Sequence, residues 1–314
     1  MPRRLRVLTW HVHGNYLYYL TQAAHEFYVV ADAQRSPGYA GVTGALPWGD
    51  NVHDAPLARL ARMQFDCVLY QSQRNFTVDR IEQLSDAQRR LPSIHLEHDP
   101  PQEHPSNTRH FMDDPDVLLV HCTHFNRLMW NSGRTPTVVI EHGVLLPSRA
   151  TYEGALSRGI VVVNHLVRRG RRLGADVFDA VRSRVPLDLV GMDSQRSGGL
   201  GEISNDRLAA HMAHYRFLFN PIRYTSLGLA VIEAMMVGLP IVALATTEMV
   251  TVVQDGLSGY LGTDVERLVE RMQHLLNAPE EARALGAAAR RTAQARFNIG
   301  RFAADWDRAL RSVT

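Results

Sequence analysis

Short apolar runs recur along the chain, each followed by a turn or by a pattern with the period of a helix. In the first half they are Val7–Trp10, Tyr28–Ala31, Cys67–Tyr70, Ile94–Leu96, Val117–Val120 and Thr137–Ile140. In the second half they are Ile160–Val163, Leu187–Val190, Phe217–Phe219 and Ile241–Leu244. They are rich in Val, Ile and Leu and do not alternate, as expected of strands buried on both faces. Helical periodicity fills residues 15–25, 55–64, 76–90, 123–132, 173–184, 204–214 and 226–237. Alternation of this kind predicts parallel sheets. Leu145–Gly159 carries Pro, Ser and Gly with little periodicity and reads as a linker between two α/β domains of ordinary size. From residue 264 onward the pattern is wholly helical, with Thr263–Asp264 as the first cap and Pro279 opening the next helix.

Composition narrows the classes. The 314 residues are 45% hydrophobic, enough for a large core and more than one domain. A formal net charge of +2 does not suggest a non-specific nucleic-acid binder. All 34 basic residues are arginine. Without a lysine there is no Schiff base with pyridoxal phosphate or substrate, and no Walker A loop. Any phosphate contact by a basic side chain must use the planar fork of arginine. Cys67 and Cys122 each sit inside an apolar run and read as small buried hydrophobes of a reducing compartment. The apolar stretch near the N-terminus is too short for a signal peptide, and residues 229–245 are broken by Glu233, Gly238 and Pro240. The expectation is a soluble, cytoplasmic protein.

One charge stands out. In TSLGLAVIEAMMVGLP, Thr225–Pro240, Glu233 is the only carboxylate in an apolar run. Phe217–Phe219 predicts a strand, residues 220–228 a polar turn, and residues 229–237 a helix ended by Gly238 with Pro240 beyond. Thr225, Ser226, Leu227 and Gly228 then lie at a helix N-terminus on the carboxyl side of a parallel strand, where open α/β sheets bind ligands and free N–H groups receive anions. Leu229, Ile232 and Met236 form the expected core stripe. Glu233 either accepts hydroxyl donors, as from a ribose, or satisfies a neighbouring backbone group or an arginine. A second basic element, IVVVNHLVRRGRR at 160–172, places Arg168 and Arg169 just past a strand end, and Arg223, in the turn before Thr225, is a third candidate for binding the donor beside the phosphate-binding terminus.

The segment 225–242 resembles the signature of the retaining GT-B glycosyltransferases of family 4 (glycosyl transferases group 1), roughly Glu-x-Phe-Gly-Leu, four residues, Glu-Ala-Met-Ala-x-Gly-x-Pro. Gly228, Leu229, Glu233, Ala234, Met235, Gly238 and Pro240 match. VVQDGLSGYLG at 252–262 resembles the family's following turn, and residues 285–297 its closing helix. The resemblance covers about 160–310. It implies an α/β, GT-B fold, with two Rossmann-like domains facing across a cleft and C-terminal helices. Residues 1–150 would be the acceptor-binding domain, 151–296 the donor-nucleotide domain, and 297–314 a terminal helix packing back on the first. It implies metal-independent transfer of a sugar from a nucleoside diphosphate sugar with retention, and no cofactor beyond that co-substrate.

By the same resemblance Glu233 binds the nucleotide ribose, and Arg168 or Arg169 stands for the basic clamp on the donor diphosphate, with His165 in place of its arginine. Thr225 replaces the glutamate that meets the donor sugar, and residues 245–253 replace a Gly-Gly loop. Gly14 opens a loop similar to the family's glycine loop near the donor phosphates, with Tyr16, Tyr18 and Tyr19 either lining the acceptor side or packing in the core. His98, with His95 second, resembles the strand-end histidine beneath the donor sugar. Residues 138–147 resemble the turn before the interdomain linker. The acceptor, whether saccharide, lipid-linked or a small natural product, is left open, as is peripheral membrane contact; neither nucleic acid nor a transmembrane segment is expected. Two other classes remain: a catalytically inactive GT-B-fold binding protein, and a His-rich metal-dependent hydrolase on a barrel using His11, His13, His98, His124, His142 and His165.

Overall fold

The computed structural model describes residues 3–44, 46–145 and 150–314. Part of the predicted linker and of the turn at 138–147 lies outside the described residues. The chain divides into two compact units, Met1–Gly143 with Ile299–Thr314, and Val144–Asn298.

The first unit holds a parallel sheet of seven strands. These are β1 (Arg6–Thr9), β2 (Glu26–Ala31), β3 (Val52–Pro56), β4 (Cys67–Tyr70), β5 (Ser93–Glu97), β6 (Val117–His121) and β7 (Thr137–Val139), in the order β3-β2-β1-β4-β5-β6-β7. The second unit holds β8 (Leu156–Val162), β9 (Leu187–Val190), β10 (Tyr215–Asn220), β11 (Ile241–Leu244) and β12 (Gly259–Gly262), in the order β12-β11-β10-β8-β9. All described pairings between these strands are parallel. Two open sheets are incompatible with a single closed barrel, and the barrel hydrolase reading is set aside on that ground.

Within each unit the apolar runs become buried strands. Leu8, Trp10, Val30, Ala55, Leu60 and Val68 meet in one cluster of the first core. Cys67 and Cys122 are buried and free of disulfides, and burial pushes the Cys67 thiol up to about 12. The helix Ile299–Val313 belongs to the first unit, where Phe302 and Trp306 are buried and meet Tyr16 edge to face. In the second unit Asp264 caps the helix Val265–Asn277 by accepting from the amides of Glu266 and Arg267, and Pro279 begins the helix Pro279–Arg296.

That last helix supports the helix Leu229–Val237 through a contact without side chains. A Cβ on Gly286 would stand 1.9 Å from the carbonyl oxygen of Gly238, whose φ of +102° ends the supported helix. Alanine would gain helix propensity of about 1 kcal/mol, but overpacking a fixed backbone contact costs roughly 1–3 kcal/mol. Gly286→Ala is therefore expected to destabilise the protein by up to about 2 kcal/mol, read as a lower denaturation midpoint with an unchanged slope. Among the described residues no helix is long and apolar enough to cross a membrane.

Candidate functional site

The strand order of the second unit locates its ligand crevice. From β8 the chain runs to β9 on one side, whereas β10, β11 and β12 extend the sheet on the other. The direction reverses between β8 and β10, and ligands of open α/β sheets settle beyond the carboxyl ends at such a point. The segments leaving those two strands are 163–169 and 221–228, the two elements singled out from the sequence.

After β8 the backbone turns sharply. His165 takes a left-handed conformation, φ +54°, and its Nδ1 lies 2.5 Å from Asp193 Oδ2. That hydrogen bond is the main cause holding the Asp193 carboxyl below its usual range, with Arg168 contributing. Leu166 is buried and anchors a single helical turn, Leu166–Arg169, on which Arg168 is exposed and Arg169 half-buried. Arg171 and Arg223 converge on one carboxylate, that of Asp176. Arg171 reaches it at 2.6 Å, and Arg223 grips it with both nitrogens at 2.5 and 2.8 Å. Arg223 also donates to the carbonyl of Arg171 at 2.7 Å, while the amides of Arg223 and Tyr224 donate to the carbonyl of Arg172. The fork of Arg223 thus fastens the two loops together. Sequence reasoning missed Asp176 and Asp193, since no local spacing announces a partner so far along the chain.

The helix predicted after the turn is Leu229–Val237, with Gly228 as its first cap. The expected stripe is wider than proposed: every residue from Val231 to Val237 is buried, whereas Leu229 is half-buried. Glu233, only 7% exposed, therefore sits on a helix wrapped by protein. Ser226 and Leu227 are buried and Thr225 is half-buried. Gly228 has φ −67° and ψ 132°, a conformation open to any residue, and a Cβ there would meet no atom within 4 Å. Neither strain nor packing demands glycine here; close approach of a ligand to the backbone would.

After β11, Thr246 Oγ1 donates to the carbonyl of Ile222 at 3.0 Å and so ties this loop to the one after β10. Thr247 follows with φ +51°, an outlier for a β-branched side chain and a conformation glycine adopts freely. The segment standing in for a Gly-Gly loop keeps a backbone shape of the glycine kind. The buried Glu248 takes a hydrogen bond from Thr251 at 2.8 Å and faces Arg296 at 3.2 Å.

In the first unit Gly14 opens the helix Gly14–Leu20. Tyr16, Tyr18 and Tyr19 are all buried, which decides for core packing over an acceptor lining. Tyr16 is enclosed by His98, His142, Phe302 and Trp306. His98 lies beyond β5, its ring 4.2 Å from that of His13 and its Nδ1 3.9 Å from Cys122 Sγ. Burial, followed by the neighbouring imidazoles of His13, His142 and His95, holds its pKa well below the usual histidine value. His98 is neutral at physiological pH and suited to orienting a ligand rather than to contributing charge.

One group among the described residues could hold a metal ion: His95, Glu97 and His110. Its hydrogen bonds point elsewhere. His110 Nδ1 accepts from the Met112 amide at 3.0 Å, so in the neutral ring Nε2 carries the proton, and it lies 3.0 Å from Glu97 Oε2. The atom facing the carboxylate is a donor, not a free lone pair. Asp305 and Asp307 lie on a salt-bridged helix face: Asp305 pairs with Arg301 and Arg308, and Asp307 with Arg311.

Residues 160–278 match the family model described as glycosyl transferases group 1. An 88-residue stretch is 33% identical to an uncharacterized 41.2 kDa protein in the cps region of Klebsiella pneumoniae, covering 26% of this chain and 25% of that protein. Solved structures align over nearly the whole chain. Sucrose-phosphate synthase from Thermosynechococcus elongatus has a TM-score of 0.70 at 18% identity, covering 99% of each chain. HepE of Anabaena, in complex with UDP and glucose, has 0.68 at 14% identity, covering 98% of this chain and 100% of that one. A glycosyltransferase from Rickettsia africae has 0.67 at 12% identity, covering 99% of each. The fold is GT-B.

Proposed function

We propose that this chain, whose residues 160–278 belong to the glycosyl transferases group 1, moves a sugar from a nucleoside diphosphate sugar to an acceptor with retention and without a metal ion. The observation that carries this reading is the switch point of the second sheet. A turn bearing Arg168 and Arg169 flanks it on one side, and the amide-lined start of the Glu233 helix on the other.

The diphosphate lies at Ser226–Gly228, where helix N–H groups and the positive end of the helix dipole favour an anion. Glu233 accepts the ribose hydroxyls one turn further along. As the bond from the anomeric carbon to the phosphate oxygen breaks, negative charge grows on the diphosphate, and Arg168 and Arg169 stabilise it. The acceptor oxygen forms its bond to the same carbon on the same face, and its proton passes to the departing phosphate. No side-chain base is needed. His98, neutral, orients sugar or acceptor. Arg223 serves indirectly, by holding the loop that carries Thr225.

The base and the sugar are set by a thermal-shift series with UDP-, GDP-, dTDP- and CMP-sugars, since a ligand of the folded state raises the melting temperature by mass action. A UDP-sugar is the first probe, given the UDP complex of HepE. Glu233→Gln should weaken UDP binding about 10- to 100-fold, the worth of hydrogen bonds to a charged group. Unchanged affinity in titration calorimetry would remove Glu233 from the ribose.

A further inference from the structure

The first unit has a switch point of its own. Its chain runs outward through β1, β2 and β3, then returns to add β4 beside β1 and continues to β7. The crevice of that sheet lies beyond the carboxyl ends of β1 and β4. A cavity of about 230 Å³ is found there, lined by His11 from the segment after β1, Tyr39 from the loop after β2, and Ser72, Arg74, Asn75 and Asp79 after β4. We propose that this cavity binds the acceptor, and that the part it holds is one neutral, hydroxyl-rich saccharide residue; this rests on the glycosyltransferase reading above.

The cavity has a built framework. The chain leaves β4 through one wide turn of π-helix, Asn75–Asp79, a rare form concentrated at functional sites. It places the Asp79 carboxylate in the interior, with its side chain 1% exposed. Tyr39 Oη donates to Asp79 Oδ1 at 2.7 Å, Asn75 Nδ2 donates to Oδ2 at 2.8 Å, and Arg74 Nε lies 3.5 Å from Oδ1. A buried carboxylate is tolerated because it is paired and hydrogen-bonded. Tyr39 and Arg74 are thereby placed in advance of any ligand.

Charge selects the ligand class. Asp79 already balances Arg74, so a phosphate or carboxylate would meet no net positive charge, whereas a hydroxyl oxygen can still accept from the exposed guanidinium. His11 supplies the complementary role. Its Nδ1 lies 2.8 Å from the carbonyl of Gly41, which can only accept, so Nδ1 bears the hydrogen and Nε2 of the neutral ring is an acceptor. An acceptor nitrogen, guanidinium donors and the Ser72 hydroxyl form the mixed set that adjacent sugar hydroxyls use, since each hydroxyl both gives and takes a hydrogen bond. Size agrees: the cavity is below the roughly 300–1,000 Å³ of pockets for drug-sized ligands.

The test is binding of the full chain to an array of neutral and anionic glycans, the latter bearing uronate, sulfate or phosphate, with UDP thermal shift measured in parallel. His11→Asn keeps a donor to Gly41 and loses the Nε2 acceptor; Arg74→Gln loses the cation. Binding to neutral glycans, reduced about tenfold in each folded variant, supports the proposal. Three results overturn it: preference for anionic glycans, neutral binding unchanged in both variants, or no glycan bound by a protein that UDP stabilises. Glycan binding without any UDP shift leaves the cavity assignment standing and removes the UDP donor.

Discussion

Arg169→Ala is expected to lower kcat by one to three orders of magnitude with a smaller effect on the KM for donor. Losing one preorganised donor from a developing oxyanion costs roughly 10²–10³ in rate. In the proposed mechanism the effect falls on kcat because helix amides meet the diphosphate charge in the ground state, while the additional charge of bond breaking needs the cation. Fold should survive, since the turn is anchored by the buried Leu166. Arg171→Ala supplies the contrast. Its guanidinium is exposed and spent on Asp176, which Arg223 also holds, so turnover should stay within about twofold and stability within about 0.5 kcal/mol. Equal rates for the Arg169 variant and the wild type, measured at saturating donor, would take the arginine out of the mechanism.

Acidification from pH 7 to pH 5 should destabilise the first unit, by about 2 kcal/mol through His121 alone. His95, His98 and His121 are held below the usual histidine pKa of 6.5, chiefly by burial, and His121 is brought down to about 3. The folded state therefore binds fewer protons than the unfolded chain between 6.5 and the lowered values. Stability is full above pH 6.5 and falls as pH drops through that window, for His121 by about 1.4 kcal/mol per pH unit. His95, His98 and His25, shifted in the same direction by burial, add to it. In a domain of this size the His121 share alone is a melting temperature lower by roughly 4–8 °C. Carboxylates held below their ordinary values, such as Asp54 beside Arg35, lose their contribution at still lower pH, so the interval between 7 and 5 isolates the histidines. Both ring nitrogens of His121 are buried without a hydrogen-bond partner, so His121→Leu should make the slope shallower. A stability flat across this interval would mean that these rings are not held neutral.

The interior strands were legible because burial on both faces leaves an uninterrupted apolar run. Cys67–Tyr70, Leu187–Val190 and Ile241–Leu244 are found at the predicted residues. The strands missed are at sheet edges. Val52–Pro56 includes His53 and Asp54 and pairs with β2 alone, so nothing forces it to be apolar, and Gly259–Gly262 reads as a turn because glycines bracket it. The helical pattern at 76–90 is broken into a wide turn and two short helices, Arg80–Gln83 and Asp86–Arg89, because Ser85 and Gln88 form a capping box inside it. In the site, the start of the Glu233 helix was readable from its flanking glycines. The fate of Arg223 was not, because Asp176 lies far away in sequence. The three tyrosines after Gly14 stayed open between acceptor lining and core packing while the residues that cover Tyr16, Phe302 and Trp306, were out of view.

That cover has a consequence for the order of events during synthesis. The first 143 residues leave the ribosome long before the helix Ile299–Val313 exists, yet Tyr16 and the His142 region need it: Arg301 donates to the carbonyls of Glu141 and His142. The unit begun first is finished last. Through the whole of elongation its apolar seat for Phe302 and Trp306 faces water or a chaperone, whereas the second unit is complete at Asn298. A chain cut before Ile299 would keep the second unit whole and leave the first without Phe302 and Trp306, its apolar seat open to aggregation or degradation.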